Sequence, residues 1–171
     1  MTSGVYLLGA KKILLIGGSG TLGSQIIKSK IFKNLDFPKK KDLNILKRAT
    51  INRHIKRGYD LVINCAAMAR MKECEKNPVN AINVNIFGIL NLVQEIMNYE
   101  TKSKKKVRLL HISTDGVYPS IKGNYFENSP LKPHNVYGWT KLCSESVVKL
   151  LENYLIIRTR FFDKTNIKFN N

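Results

Sequence analysis

The sequence predicts a doubly wound α/β domain with a mostly parallel sheet. Three observations carry that expectation. Short, continuous apolar runs recur along the chain, they alternate with segments of helical period, and the first run feeds directly into a glycine-rich turn. Unbroken apolar strands belong to a sheet covered on both faces, and strand–helix alternation makes the sheet parallel.

The elements follow in order. "KKILLIGGSGTLGSQII" opens with an apolar strand, turns on glycines and continues as a helix. The stretch from Ser29 to Thr50 is the least legible, with one irregular strand expected around Ile31 to Leu35. "YDLVINCAA" (Tyr59 to Ala67) is a strand rich in branched residues, and "AINVNIFGILNLVQEIMNY" (Ala81 to Tyr99) has apolar residues at helical spacing. "VRLLHIST" (Val107 to Thr114) is the next strand. "VYGWTKLCSESVVKLLENY" (Val136 to Tyr154) is a second long helix, and "LIIRT" (Leu155 to Thr159) the last strand.

The 171 residues suit one domain with a sizeable core. No apolar run reaches the roughly 18 residues that cross a bilayer. The start, "MTSGVYLLGAKK", lacks the charged lead and cleavage pattern of a signal peptide. Cys65, Cys74 and Cys143 lie far apart, as free thiols of a reducing compartment do, so a cytoplasmic place is expected. The formal charge is +17, yet the lysines are scattered apart from "PKKKD" and "KSKKK". Neither cluster interleaves with aromatic residues, which argues against a single-strand nucleic-acid track. No spacing among His54, His111 and His134 suggests metal ligation; the first and last read as surface residues and His111 as strand core.

"GGSGTLG" supplies Gly17, Gly18, Gly20 and Gly23. A tight turn between a first strand and a helix lets backbone approach a pyrophosphate, and the helix N-terminus adds amide donors and a favourable dipole. This context predicts a Rossmann-type dinucleotide site for NADP(H) or NAD(H). The acidic residue that would hold a ribose hydroxyl is not obvious. Asp36 is a candidate, but Lys33 and Lys39 to Lys41 surround it, a rim that suits a 2′-phosphate.

Tyr137 and Lys141 are four residues apart, hence on one helical face. A cation there lowers the phenol's pKa and fits it for proton transfer; a solvated surface pair has the same spacing. Ser113 and Thr114 end a predicted strand, where open α/β sheets place ligands. Trp139 reads as packing, and Arg70 either as a phosphate contact or as a solvated loop residue.

The ordered set of glycine turn, "NCAA", "NVNIFG", "STDGVYP", "NVYGWTK" and "IIRTRFF" resembles the extended short-chain dehydrogenase/reductase family, nearest the sugar-nucleotide reductases typified by dTDP-4-dehydrorhamnose reductase. The resemblance runs from Lys11 to Phe162. It implies a cofactor site made by Gly17, Gly20, Thr21, Leu22, Gly23, Asp42, Leu43, Cys65, Ala66, Ala67 and Asn85, with Lys141 on the ribose. It implies Thr114, Tyr137 and Lys141 as catalytic residues, and a nucleotide-sugar substrate reduced at a 4-keto group. Gly116 stands where these reductases usually carry an aromatic residue, and Asp115 lacks the second acid of the related dehydratases. Arg158 is expected to anchor structure. Family members typically continue well beyond this chain's length, so most of a C-terminal substrate domain is expected to be absent. The alternatives are a regulatory nucleotide-binding subunit, similar to the methionine adenosyltransferase beta subunit, or a cofactor-binding fragment without turnover. A homodimer or an enzyme partner is compatible with each.

Overall fold

The structure is a computed structural model that describes residues 11–121 and 123–160. The opening segment before Lys11 and Phe161–Phe162 of the last motif lie outside the described residues. Strand β1 (Ile13–Ile16) leads through α1 (Thr21–Ser29) to β2 (Leu35–Asp36), and α2 (Arg48–Ile55) leads to β3 (Leu61–Asn64). Two short helices follow, α3 (Met71–Lys76) and α4 (Pro78–Ile82). One π-helical turn (Asn83–Phe87) then joins α5 (Gly88–Ser103), which precedes β4 (Arg108–Thr114), α6 (Val136–Val148) and β5 (Tyr154–Thr159). The five strands lie in the order β2-β1-β3-β4-β5, and every pairing is parallel. The expected Rossmann-type sheet is therefore present.

Period-two alternation divides the core between two faces. Leu14, Ile16, Val62 and Leu109 point to one face, where they meet Ile51 and Ile55 of α2 and Ile89, Leu92 and Ile96 of α5. Ile13, Leu15, Leu61, Ile63 and Leu110 point to the other, against Ile26 and Ile27 of α1. The first face also holds a cross-helix clamp. Glu95 of α5, nearly buried, accepts from Arg48 at 2.7 Å and from Asn52 at 2.6 Å, both on α2.

Boundaries differ from expectation in several places, and the expected helix Ala81 to Tyr99 is divided by the π-helical turn and runs on to Ser103. The second strand is two residues, Leu35–Asp36, because Pro38 and the lysines after it leave the ladder. Helix α2 rises from the illegible stretch without an acidic first turn or a side-chain cap. Helix α6 ends at Val148, six residues before the expected end, because Leu151 turns into the core and Tyr154 must start β5.

Strand order reverses between β1 and β3, with β2 on one side and β4 and β5 on the other. The crevice beyond the carboxyl ends of strands at such a point is where open α/β sheets bind ligands.

Candidate functional site

The glycine turn and the exit of β3 form one wall of that crevice. Gly17 has φ +85°, and a Cβ there would stand 2.6 Å from the backbone nitrogen of Ala66. A Cβ on Gly23 would meet the Gly17 carbonyl oxygen at 2.3 Å, so helix α1 sits directly on the turn. Cys65, Ala66 and Gly17 are thus pressed together without side chains between them. Gly20 differs: its Cβ would meet only the Gly17 oxygen, at 3.4 Å. The fold itself does not require glycine there. Gly20 is also the N-cap of α1 and makes no side-chain cap, so the amides of Thr21, Leu22 and Gly23 begin the helix without a capping side chain. Open backbone space in front of an uncapped helix N-terminus fits a pyrophosphate.

The opposite wall comes from β4 and α6. Thr114, at the end of β4, is 7% exposed, and its hydroxyl accepts the Gly116 amide at 3.1 Å. Asn135 caps α6 through the Gly138 amide at 2.7 Å, and Glu75 of α3 accepts the Val136 amide at 2.7 Å. These caps fix the first turn of α6 and so Tyr137, whose phenol is close enough to Thr114 to feel its hydroxyl. Burial pushes the Tyr137 pKa up; the nearby Thr114 hydroxyl opposes this, and the Asp115 carboxylate adds to it. The direction corrects the expectation that a neighbouring cation lowers it.

The physical reason is the seat of Lys141. Its side chain is 2% exposed and runs inward, with Nζ 3.0 Å from His111 Nε2 on β4. Burial brings its pKa down to about 7, against the opposing pull of the Glu145 carboxylate. A lysine buried in this way provides little positive field at the phenol. Sequence reasoning missed the group that makes the seat. Strand β4 presents His111 and Ser113 on one face, and β5 presents Arg158 beside them. Helix α6 answers with a buried stripe at Lys141, Ser144, Glu145 and Val148, which is helical spacing. Ser113 Oγ donates to Glu145 at 2.6 Å, and Arg158 closes an ion pair with Glu145 at 2.7 Å. The 141/144/145/148 spacing is present in the sequence, but nothing local says that its polar members are buried against β4 and β5.

Other expected residues fall as follows. Asn85 is 1% exposed, and its amide is spent on protein: it accepts from Met68 N at 2.8 Å and donates to Met68 O at 3.0 Å and Thr140 Oγ1 at 2.9 Å. It positions the loop after β3 and does not face the crevice. Leu43 is buried in the core, and its neighbour Asp42 is exposed. Asp36 is abreast of Leu14, short of the sheet's carboxyl edge, and its carboxylate is taken by Tyr59 and Arg57. The ribose-acid role is therefore corrected. Arg70 is a solvated residue paired with Glu73 at 3.0 Å. His54 is buried, not at the surface, with Nδ1 2.8 Å from Thr50 O. Trp139 is 51% exposed and so is not packed within the described residues. Arg158 anchors structure as expected.

Comparison with known proteins agrees with this geometry. The chain is similar to a dTDP-4-keto-6-deoxy-D-glucose reductase of Streptomyces niveus, at 29% identity over 85% of the chain and 51% of that protein. Among solved structures it superposes on a dTDP-4-dehydrorhamnose reductase from Clostridium acetobutylicum with TM-score 0.77 and 30% identity, covering 87% of the chain and 53% of that one. It also superposes on the same enzyme from Bacillus anthracis in complex with NADP, with TM-score 0.76 and 25% identity, over 86% and 52%. The chain thus spans about half the length of the curated relatives it matches. Residues 11–169 match the model of the RmlD substrate binding domain, and the chain belongs to that family.

Proposed function

We propose that the chain carries the cofactor and proton-transfer half of an NADP(H)-dependent reductase acting on a 4-keto sugar nucleotide. The observation that carries this reading is the placement of Thr114, at the carboxyl end of β4, beside the buried Tyr137 phenol on the first turn of α6, across the crevice from the glycine turn. The α1 amides and the open face of Gly20 would hold the pyrophosphate, with Cys65, Ala66 and Ala67 lining the path beyond. When bound, the dinucleotide supplies a hydride to the carbonyl carbon. Tyr137, kept protonated by its burial, donates its proton to the carbonyl oxygen, and the Thr114 hydroxyl hydrogen-bonds the same oxygen. Lys141, turned outward, reaches the ribose.

The second strand supports NADP(H) in particular. Asp36 is engaged elsewhere, and beyond it the chain reaches the carboxyl edge as Phe37, Pro38 and Lys39 to Lys41. Three successive lysines at that edge suit a 2′-phosphate. The Streptomyces and Bacillus relatives named above, a keto-sugar reductase and an NADP complex, favour the same reading.

The experiment is a panel of 4-keto nucleotide sugars incubated with NADPH or NADH, with nicotinamide absorbance as readout. Oxidation of NADPH with one of them is the expected result. Saturable NADPH binding without turnover on any sugar would favour a nucleotide-binding subunit. No saturable binding below millimolar concentration would sink the reading.

A further inference from the structure

His111 lies at the centre of a buried cluster whose hydrogens can be assigned. Its exposure is 0%. Asn64 Oδ1 accepts the Ala66 amide at 3.3 Å, so Asn64 Nδ2 faces His111 Nδ1, at 3.2 Å, as a donor. Nδ1 must then accept, and the proton of a neutral ring is on Nε2. That proton has two neighbours at 3.0 Å, Ser144 Oγ and Lys141 Nζ. Ser144 spends its own hydrogen on the Lys141 carbonyl at 2.7 Å, so its oxygen is an acceptor. An ammonium at Nζ would set donor against donor at Nε2, whereas a neutral amine offers a lone pair. The alternative ring tautomer would break the bond to Asn64.

We infer that His111 is a positioning residue that holds Lys141 as a neutral amine in an inward seat, and that protonation of Nζ releases the side chain to the cofactor crevice. On the cofactor reading above, dinucleotide binding then takes up a proton. Burial points the same way for both partners, with Lys141 brought down to about 7 and His111 driven well below the ordinary imidazole value. The surrounding groups leave the amine as the one that changes. The Cys65 thiol, past the end of β3, is raised to about 12 by burial and stays neutral. On α6, the Glu145 carboxylate is paired with Arg158 of β5, and the Tyr137 phenol is raised and stays protonated. Asp115, after β4, pairs with Arg160 at 2.6 Å. On α3, Glu75 caps Val136, and the Cys74 thiol is raised by burial.

The test uses protein labelled at lysine Cε with ¹³C and followed by NMR from pH 6 to 10. One lysine titrating near neutrality is expected, absent in Lys141→Met. It should move upward in His111→Gln, whose amide oxygen accepts from an ammonium. Ser144→Ala leaves the Nζ lone pair as the remaining acceptor for Nε2–H; it should move the titration downward and serves if His111→Gln fails to fold. In the same range NADPH affinity, read by fluorescence, should weaken about tenfold per pH unit above neutrality, with a shallower slope in His111→Gln. Lys141 titrating with surface lysines near about 10.4, or NADPH affinity independent of pH, would overturn the inference. No NADPH binding at any pH would sink the cofactor reading and the proton coupling with it, while the lysine titration still decides the His111–Lys141 pair.

Discussion

Glu145 on α6 has no exposed side-chain surface, and Arg158 on β5 meets it through a guanidinium only 14% exposed, at 2.7 Å. The same guanidinium donates to the Tyr118 hydroxyl at 2.7 Å and the Glu127 carbonyl at 3.0 Å. The pair therefore ties helix, edge strand and the segment after β4 together. Removing one partner leaves a buried charge. Arg158→Met is expected to cost about 3–5 kcal/mol, measured by urea unfolding. A loss below 1 kcal/mol would show the Glu145 carboxylate to be well solvated.

The two glycines Gly17 and Gly20 should separate fold from ligand. Gly17→Ala meets backbone at 2.6 Å in a left-handed conformation and is expected to destabilise the fold by several kcal/mol. Gly20→Ala meets nothing closer than 3.4 Å and should cost no more than about 1 kcal/mol. It should nevertheless weaken NADPH at least about tenfold, because its methyl occupies the approach of the pyrophosphate. Thermal melts and fluorescence titrations of both variants give the comparison. Unchanged NADPH affinity in a folded Gly20→Ala protein would move the pyrophosphate elsewhere.

Tyr137→Phe keeps the ring and removes the proton. Turnover should fall about 10²–10⁴-fold, while NADPH affinity stays within twofold of wild type. The phenol's pKa is raised, so its acid form is complete at neutral pH and is lost only above about 10. Reduction limited by Tyr137 should thus show no tyrosine-linked decline between pH 6 and 9. A decline in that range that survives Lys141→Met would contradict the assignment.

Asn85→Leu strips three hydrogen bonds from a buried site, two of them to the backbone of Met68. Each orphaned group costs about 1–3 kcal/mol. The expected result is a destabilised protein in which the Met68 amide exchanges hydrogen much faster. If stability falls while that amide stays protected, the loop after β3 is held by something else.

Much of the fold was legible for a simple reason. "ILLI" and the "LVI" of β3 are apolar on both sides, which only a doubly covered sheet satisfies, and the glycines after Ile16 leave one kind of turn. The stretch before β3 was not legible. The two-residue strand Leu35–Asp36 is set by pairing with β1, and α2 is held by Ile51, Ile55 and the Glu95 clamp, contacts that are remote in sequence. Gly17 was read from its strand–turn–helix context, whereas Thr114 and Tyr137 were singled out by the ordered set of motifs that carries the family resemblance.

The sequence by itself determined the sheet, the glycine turn and the four-residue spacing of Tyr137 and Lys141, because each follows from a short-range period or a steric exclusion. Only the tertiary structure decided what that spacing means. The two side chains share a helical face, yet Tyr137 stops at Thr114 while Lys141 runs on to His111. That choice depends on a strand thirty residues away in the chain, whose polar face α6 covers. Burial then sets the protonation of phenol, amine and imidazole together, and burial is a property of the packed layers rather than of any local stretch.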